Sequence, residues 1–138
     1  MGSYKHIETA IGEYLADHYS RAVEVGIGRN TTAAEILKSA GTLVLATDVR
    51  GMDAGPVPVT VDDVFEPTLS LYEGADLIYS IRPAIEMIPP LIALARKTGA
   101  DLVVYHLGFE TYGDGGEKID CGVILHRYVG RSEPVKEG

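Results

Sequence analysis

The chain has 138 residues, one cysteine, 12 basic and 20 acidic side chains, and a formal charge of −8. That length suits a single domain with its own core; the lone cysteine excludes a disulfide framework and a thiolate metal cluster; the acidic balance argues against a nucleic-acid partner gripped by its phosphates. No apolar run approaches the ~18 residues of a membrane span, and Met1-Gly2-Ser3-Tyr4-Lys5-His6 lacks the apolar centre of a signal peptide, so a cytoplasmic setting without a membrane partner is expected.

Ile7, Ala10, Ile11, Tyr14, Leu15, His18 and Tyr19 recur at helical spacing and predict an amphipathic helix over 4–19. Residues 22–27 read as the first strand. Thr32-Ala33-Ala34-Glu35 has the form of a capping box heading a second helix, with Ile36, Leu37 and Ala40 facing inward and Gly41 as a left-handed stop. A second strand over 43–47 ends on Asp48, and 51–56 is loop. Val57, Val59 and Val61 then alternate with Pro58 and Thr60; proline removes a ladder donor, which places this third strand at a sheet edge. A short helix over 67–73 stops at Gly74.

Residues 77–81 form a fourth strand, broken by Arg82-Pro83. The stripe Ile85, Ile88, Leu91, Ile92 and Ala95 contains Pro89-Pro90, which predicts one turn, a break, and a fresh helix with proline in its first turn. A fifth strand covers 102–107. The loop 108–118 is rich in glycine, and a last strand over 119–128 returns antiparallel as a hairpin partner. These elements predict one α/β domain over 1–138: a Rossmann-like, three-layer αβα sandwich. Its mostly parallel sheet has the order 3-2-1-4-5 with an antiparallel last strand, a helix over 1–20 leads it, and 130–138 is a flexible tail.

Chemistry concentrates at the strand exits. Gly26 lets the chain turn sharply out of the first strand, and Gly28 lets a ligand approach bare backbone. Asp48, about 20 residues on, is placed to take ribose hydroxyls, and Asp62 or Asp63 to bond an adenine amino group. As plain structure, the glycines are turn residues and the acids solvated strand ends. A dinucleotide fingerprint wants a third glycine where Thr31 stands. Thr32 and Glu35 occupy amides that a pyrophosphate needs, and Glu35 adds negative charge there. An adenosine ligand without phosphate, such as S-adenosylmethionine, fits better.

Glu24-Val25-Gly26-Ile27-Gly28, with Asp48 and Asp62-Asp63, resembles the first three motifs of the S-adenosylmethionine-dependent methyltransferases. The whole chain also resembles a small archaeal family of uncharacterised Rossmann-like proteins related to that fold, with Ser80-Ile81-Arg82-Pro83 followed by Pro89-Pro90 as the feature that carries it. The resemblance runs over 21–107. It implies a cofactor site made by Glu24, Gly26, Gly28, Asp48 and Asp63, with S-adenosylmethionine as cofactor and methyl transfer as activity. Asn30 departs from the third glycine of the methyltransferase motif, and no inserted substrate-recognition region is present.

The same resemblance implies that the turn after the fourth strand holds substrate, through an oxygen of Ser80 or a bidentate clamp by Arg82. Read structurally, Pro83 starts a helix and Arg82 pairs with Glu86. His106 can reach the same rim as a base, although a histidine on a buried strand is more often a bonded core residue; His126 is read the same way. No metal ligand set and no catalytic residue are identified. Two other functions stay open: an NAD-type dinucleotide-binding domain, and a catalytically inert interaction module. The edge at Pro58 and the short terminal strands suggest a homodimer.

Overall fold

The computed structural model describes residues 3–51 and 55–130. Part of the expected loop at 51–56, and the expected tail beyond Gly130, lie outside these residues. The elements are α1 (Ser3–His18), β1 (Ala22–Val25), α2 (Thr32–Ser39), β2 (Leu43–Asp48), β3 (Val59–Val61), β4 (Leu77–Ile81), α3 (Ile88–Thr98), β5 (Asp101–Tyr105), β6 (Glu117–Asp120) and β7 (Ile124–Val129). The sheet runs β3-β2-β1-β4-β5-β7-β6. Its first five strands are parallel, β7 is antiparallel to β5, and β6 to β7. The expected order 3-2-1-4-5 therefore holds. The single expected last strand is two, because Gly122 takes a φ of 101° and the Cys121 amide closes a turn onto the Val123 carbonyl at 3.0 Å.

Strand alternation divides the core between the two faces of the sheet. Val23, Val25, Ile78, Leu102 and Val104 pack with Leu91 and Leu94 of α3. Ala22, Leu77, Tyr79 and Val103 pack with Ile11 and Leu15 of α1 and Leu37 of α2. The two helices meet closely at Gly12, where a Cβ would stand 3.1 Å from the Ile36 side chain and 3.2 Å from Ala33 Cα. No helix among the described residues is long and apolar enough to cross a membrane.

Local chemistry moves several expected boundaries. β1 stops at Val25 because Gly26 turns at a φ of 73°, and the amides of Gly26 and Ile27 both donate to the Thr47 carbonyl. The capping box does not form: Thr31 is the N-cap, and its hydroxyl donates to the Glu35 carboxylate at 2.5 Å rather than accepting a backbone amide. Thr32 is already helical, so its hydroxyl lies one residue too far inside. The expected helix over 67–73 is a 3₁₀ turn at Leu69–Tyr72, tied back by Asp62, which accepts the Thr68 amide at 3.1 Å and the Tyr72 hydroxyl at 2.6 Å. Pro89 and Pro90 start α3 after a 3₁₀ turn at Ile85–Met87, as their first-turn spacing requires.

Candidate functional site

The parallel strands all end on one rim, and the exits of β1, β2, β3 and β4 enclose a cleft of about 560 Å³. Gly26, Gly28, Asp48, Asp63, Ser80 and Arg82 line it. A Cβ added to Gly28 would meet nothing within 4 Å, so the space beside that residue is open. At Gly26 an added Cβ would stand 3.6 Å from Met87 Cε and 3.9 Å from Ser80 Oγ, which makes Met87 the opposite wall.

Asp48 joins the two halves of the rim. Its Oδ2 accepts the Gly28 amide at 2.9 Å and its Oδ1 the Arg50 amide at 3.2 Å. Each carboxylate oxygen keeps a second lone-pair site for a further donor. The acids after β3 are more occupied. Asp62 ties back the 3₁₀ turn, and Asp63 accepts the Phe65 amide at 3.0 Å in an Asx turn. That turn leaves Phe65 56% exposed at the cleft, facing a rim that also carries Val49, 61% exposed. Large apolar side chains so exposed beside an acid offer a flat surface to a ring.

Glu24 lies behind the cleft and does not line it. Alternation sends Val23 and Val25 toward α3 and turns Glu24 toward α1, where it is 2% exposed and accepts the Tyr79 hydroxyl at 2.7 Å. Burial pushes its carboxyl up to about 8; the Tyr79 bond opposes the shift and nearby Glu8 adds to it. Glu8, on α1, is itself fully buried and paired with Arg82. Its pKa is raised by burial, against the pull of that guanidinium.

The sequence offered Arg82 a ligand or Glu86 as partner; the contact made is with Glu8, on a helix 74 residues earlier. Arg82 adopts a φ of 56°, and its amide donates to the Tyr105 carbonyl at 2.6 Å. For a residue with a Cβ this backbone is strained, and such strain persists where surrounding contacts over-determine it. Ser80 is also committed: its hydroxyl donates to the Val25 carbonyl at 2.7 Å and fixes the β1 exit. Sequence reasoning missed Glu8, Val49, Phe65 and Met87. Glu8 carried a signal, since it falls in step with Ile11 and Leu15 on the inner stripe of α1. His106 and His126 do not line this cleft; they meet at the β5 exit in a second one.

The family model of an uncharacterised protein family, UPF0146, matches residues 7–118. A UPF0146 protein of Archaeoglobus fulgidus is 46% identical over 107 residues, covering 75% of this chain and 78% of that protein. One from Pyrococcus horikoshii is 34% identical over 127 residues, covering 87% and 92%. Among solved structures, Streptomyces venezuelae DesVI superposes with a TM-score of 0.55 at 15% identity, over 84% of this chain and 57% of that one. The sugar N-methyltransferase KedS8 of a Streptoalloteichus species gives 0.51 at 15% identity, over 84% and 54%. The S-adenosylmethionine-dependent methyltransferase SibL gives 0.50 at 15% identity, over 75% and 36%. This chain spans between about a third and just over half the length of these three structures, whose likeness is one of fold.

Proposed function

The chain belongs to the uncharacterised protein family UPF0146, and on that footing we propose that its glycine cleft binds S-adenosylmethionine or a related adenosine ligand, as a domain of the methyltransferase type. One observation carries the reading: the Asp48 carboxylate reaches the Gly28 amide at 2.9 Å beside open space. A post-strand acid and a bare glycine turn so joined suit a ribose, whose vicinal hydroxyls need acceptors and room. Val49 and Phe65 then suit the adenine face. Gly26 and Gly28 would flank the remainder of the ligand, and Ser80 and Arg82 would border the acceptor side.

Phosphate chemistry fits less well. The Thr32 amide at the head of α2 is 3.3 Å from Asn30 Oδ1, and Glu35 places a carboxylate in the first turn. A pyrophosphate would compete with both. S-adenosylmethionine, with a sulfonium and no phosphate, meets neither obstacle. When bound, that group supplies an activated methyl; the chain's own part would be to position an acceptor in line with it.

Calorimetric titration with S-adenosylmethionine and S-adenosylhomocysteine tests the proposal. Saturable heat that falls at least about tenfold in affinity for Asp48→Ala supports it, a loss expected when charge-assisted bonds to two hydroxyls go. Saturable heat with NAD alone would move the reading to a dinucleotide domain, and no heat with any of the three leaves the inert module.

A further inference from the structure

The carboxyl rim holds a second cleft, of about 520 Å³, where β5 leaves the sheet. Arg82 and Tyr105 separate it from the first: the guanidinium stands 5.2 Å from the Tyr105 ring centroid, Arg82 lines the glycine cleft, and Tyr105 lines the second one. The long loop between β5 and β6 forms one wall, and two residues of β7 hold it down. The Tyr112 amide donates to the Tyr128 hydroxyl at 3.0 Å, and His126 Nδ1 stands 2.7 Å from the Gly115 carbonyl.

That second anchor fixes the histidine's tautomer. A carbonyl can only accept, so the neutral His126 ring carries its proton on Nδ1 and its lone pair on Nε2. No group among the described residues bonds to Nε2. A base held in this way through its other nitrogen is oriented by the carbonyl. His106 stands edge-on to it, with ring centroids 5.0 Å apart. His106 Nε2 is 2.7 Å from the Tyr128 oxygen, and its Nδ1 is buried without a partner. Burial and the neighbouring His126 hold the His106 pKa below its ordinary value.

The surroundings narrow what can fill it. Tyr105 and Val123 give the cleft half-buried apolar walls, and Ile124 and Phe109 stand exposed at its edge. Lys118 and Glu110 contribute opposite charges, which favours no net charge on an occupant. A metal is unsuited, since no group of three histidine, cysteine or acidic side chains among the described residues could hold one. What remains is an open-sided cleft with apolar walls and one oriented acceptor. We infer that this cleft binds a small, uncharged ring compound carrying a hydroxyl, which donates its hydrogen bond to His126 Nε2. The inference does not require the glycine cleft to bind a nucleoside.

Phenol is the probe, with toluene as its hydroxyl-free counterpart, and the ring resonances of His126 and His106 in the whole chain are the readout. Phenol should shift the His126 resonances saturably, with toluene about tenfold weaker, the worth of one hydrogen bond to an oriented acceptor. In His126→Asn the amide nitrogen replaces Nδ1 and keeps the Gly115 anchor, while Nε2 is gone. Phenol affinity should then fall about tenfold, read from its own shifted resonances, with toluene affinity unchanged. Equal binding of phenol and toluene to the parent chain, or no shift at His126 up to the solubility limit of phenol, overturns the inference whether or not the variant folds. S-adenosylhomocysteine added to the same sample is read at the Gly28 amide, so the two clefts pass or fail separately.

Discussion

The glycine cleft at the exits of β1, β2, β3 and β4 is built around a turn of bare backbone, whereas the cleft between β5 and β7 is built around side chains. In the first, Gly26 and Gly28 expose main chain, and the one acid that crosses the gap, Asp48, is held by the Gly28 and Arg50 amides. In the second, two imidazoles and a tyrosine hydroxyl carry both the chemistry and the anchoring of the wall. A backbone site depends on local conformation at a few positions, while a side-chain site depends on which strands become neighbours. The two should therefore respond to different substitutions, and each can be broken without the other.

The largest effect is expected at Gly116, with a φ of 64° and an added Cβ only 2.6 Å from the Arg127 carbonyl oxygen. Gly116→Ala should cost roughly 3 kcal/mol in denaturant unfolding, because backbone must move to accept the methyl group. It should loosen the loop over His126 and leave ligand binding at Gly28 intact. Loss of both functions together would show that the clefts are not separable.

The second effect reports on the acids behind the glycine cleft. Glu24 holds its proton up to about 8 in the folded chain, against 4.5 ordinarily. The folded state therefore binds a proton that the unfolded state has released between those values. Stability from this group is complete below 4.5, declines as pH rises toward 8, and levels off above. Glu24→Gln keeps an acceptor for Tyr79 and removes the titration. It should flatten the pH dependence of unfolding in that window and raise stability near pH 8 by on the order of 2 kcal/mol. An unchanged slope would mean that another group titrates.

Gly28→Ala is the converse of the Gly116 change. Its φ of 59° costs an L residue about 1 kcal/mol, and nothing stands within 4 Å to clash. Binding of S-adenosylhomocysteine should fall at least about tenfold by calorimetry, with the His126 resonances unmoved. The smallest effect is expected for Phe65→Ala. That ring is 56% exposed, so stability should change by no more than about 0.5 kcal/mol, while the loss of a stacking face lowers ligand affinity severalfold.

The same contrast explains what could be read from the sequence. Gly26, Gly28 and Asp48 follow apolar strands at the spacing of a doubly wound sheet, and Pro58 marks its edge, so strand order and the first cleft were legible from local pattern. The histidine pair was not: the antiparallel return of the last strand was expected, but its split at Gly122 and the register that sets His126 beside His106 have no local signature. The direction in which Glu24 points follows from strand alternation, yet its burial partner Glu8 lies on a helix that packs there for reasons of tertiary fit. The capping residues failed by one position, since a Thr-Thr pair offers two starts and the helix takes the first.

The central claim is that the open space beside Gly28 receives an adenosine. Its most direct measurement is the amide spectrum of the whole chain during titration with S-adenosylhomocysteine. Saturable shifts are expected at Gly26, Gly28 and Arg50, the amides that line the cleft or bond Asp48, with His126 silent. Saturation with those three amides unmoved, or no shift anywhere at millimolar ligand, would contradict it.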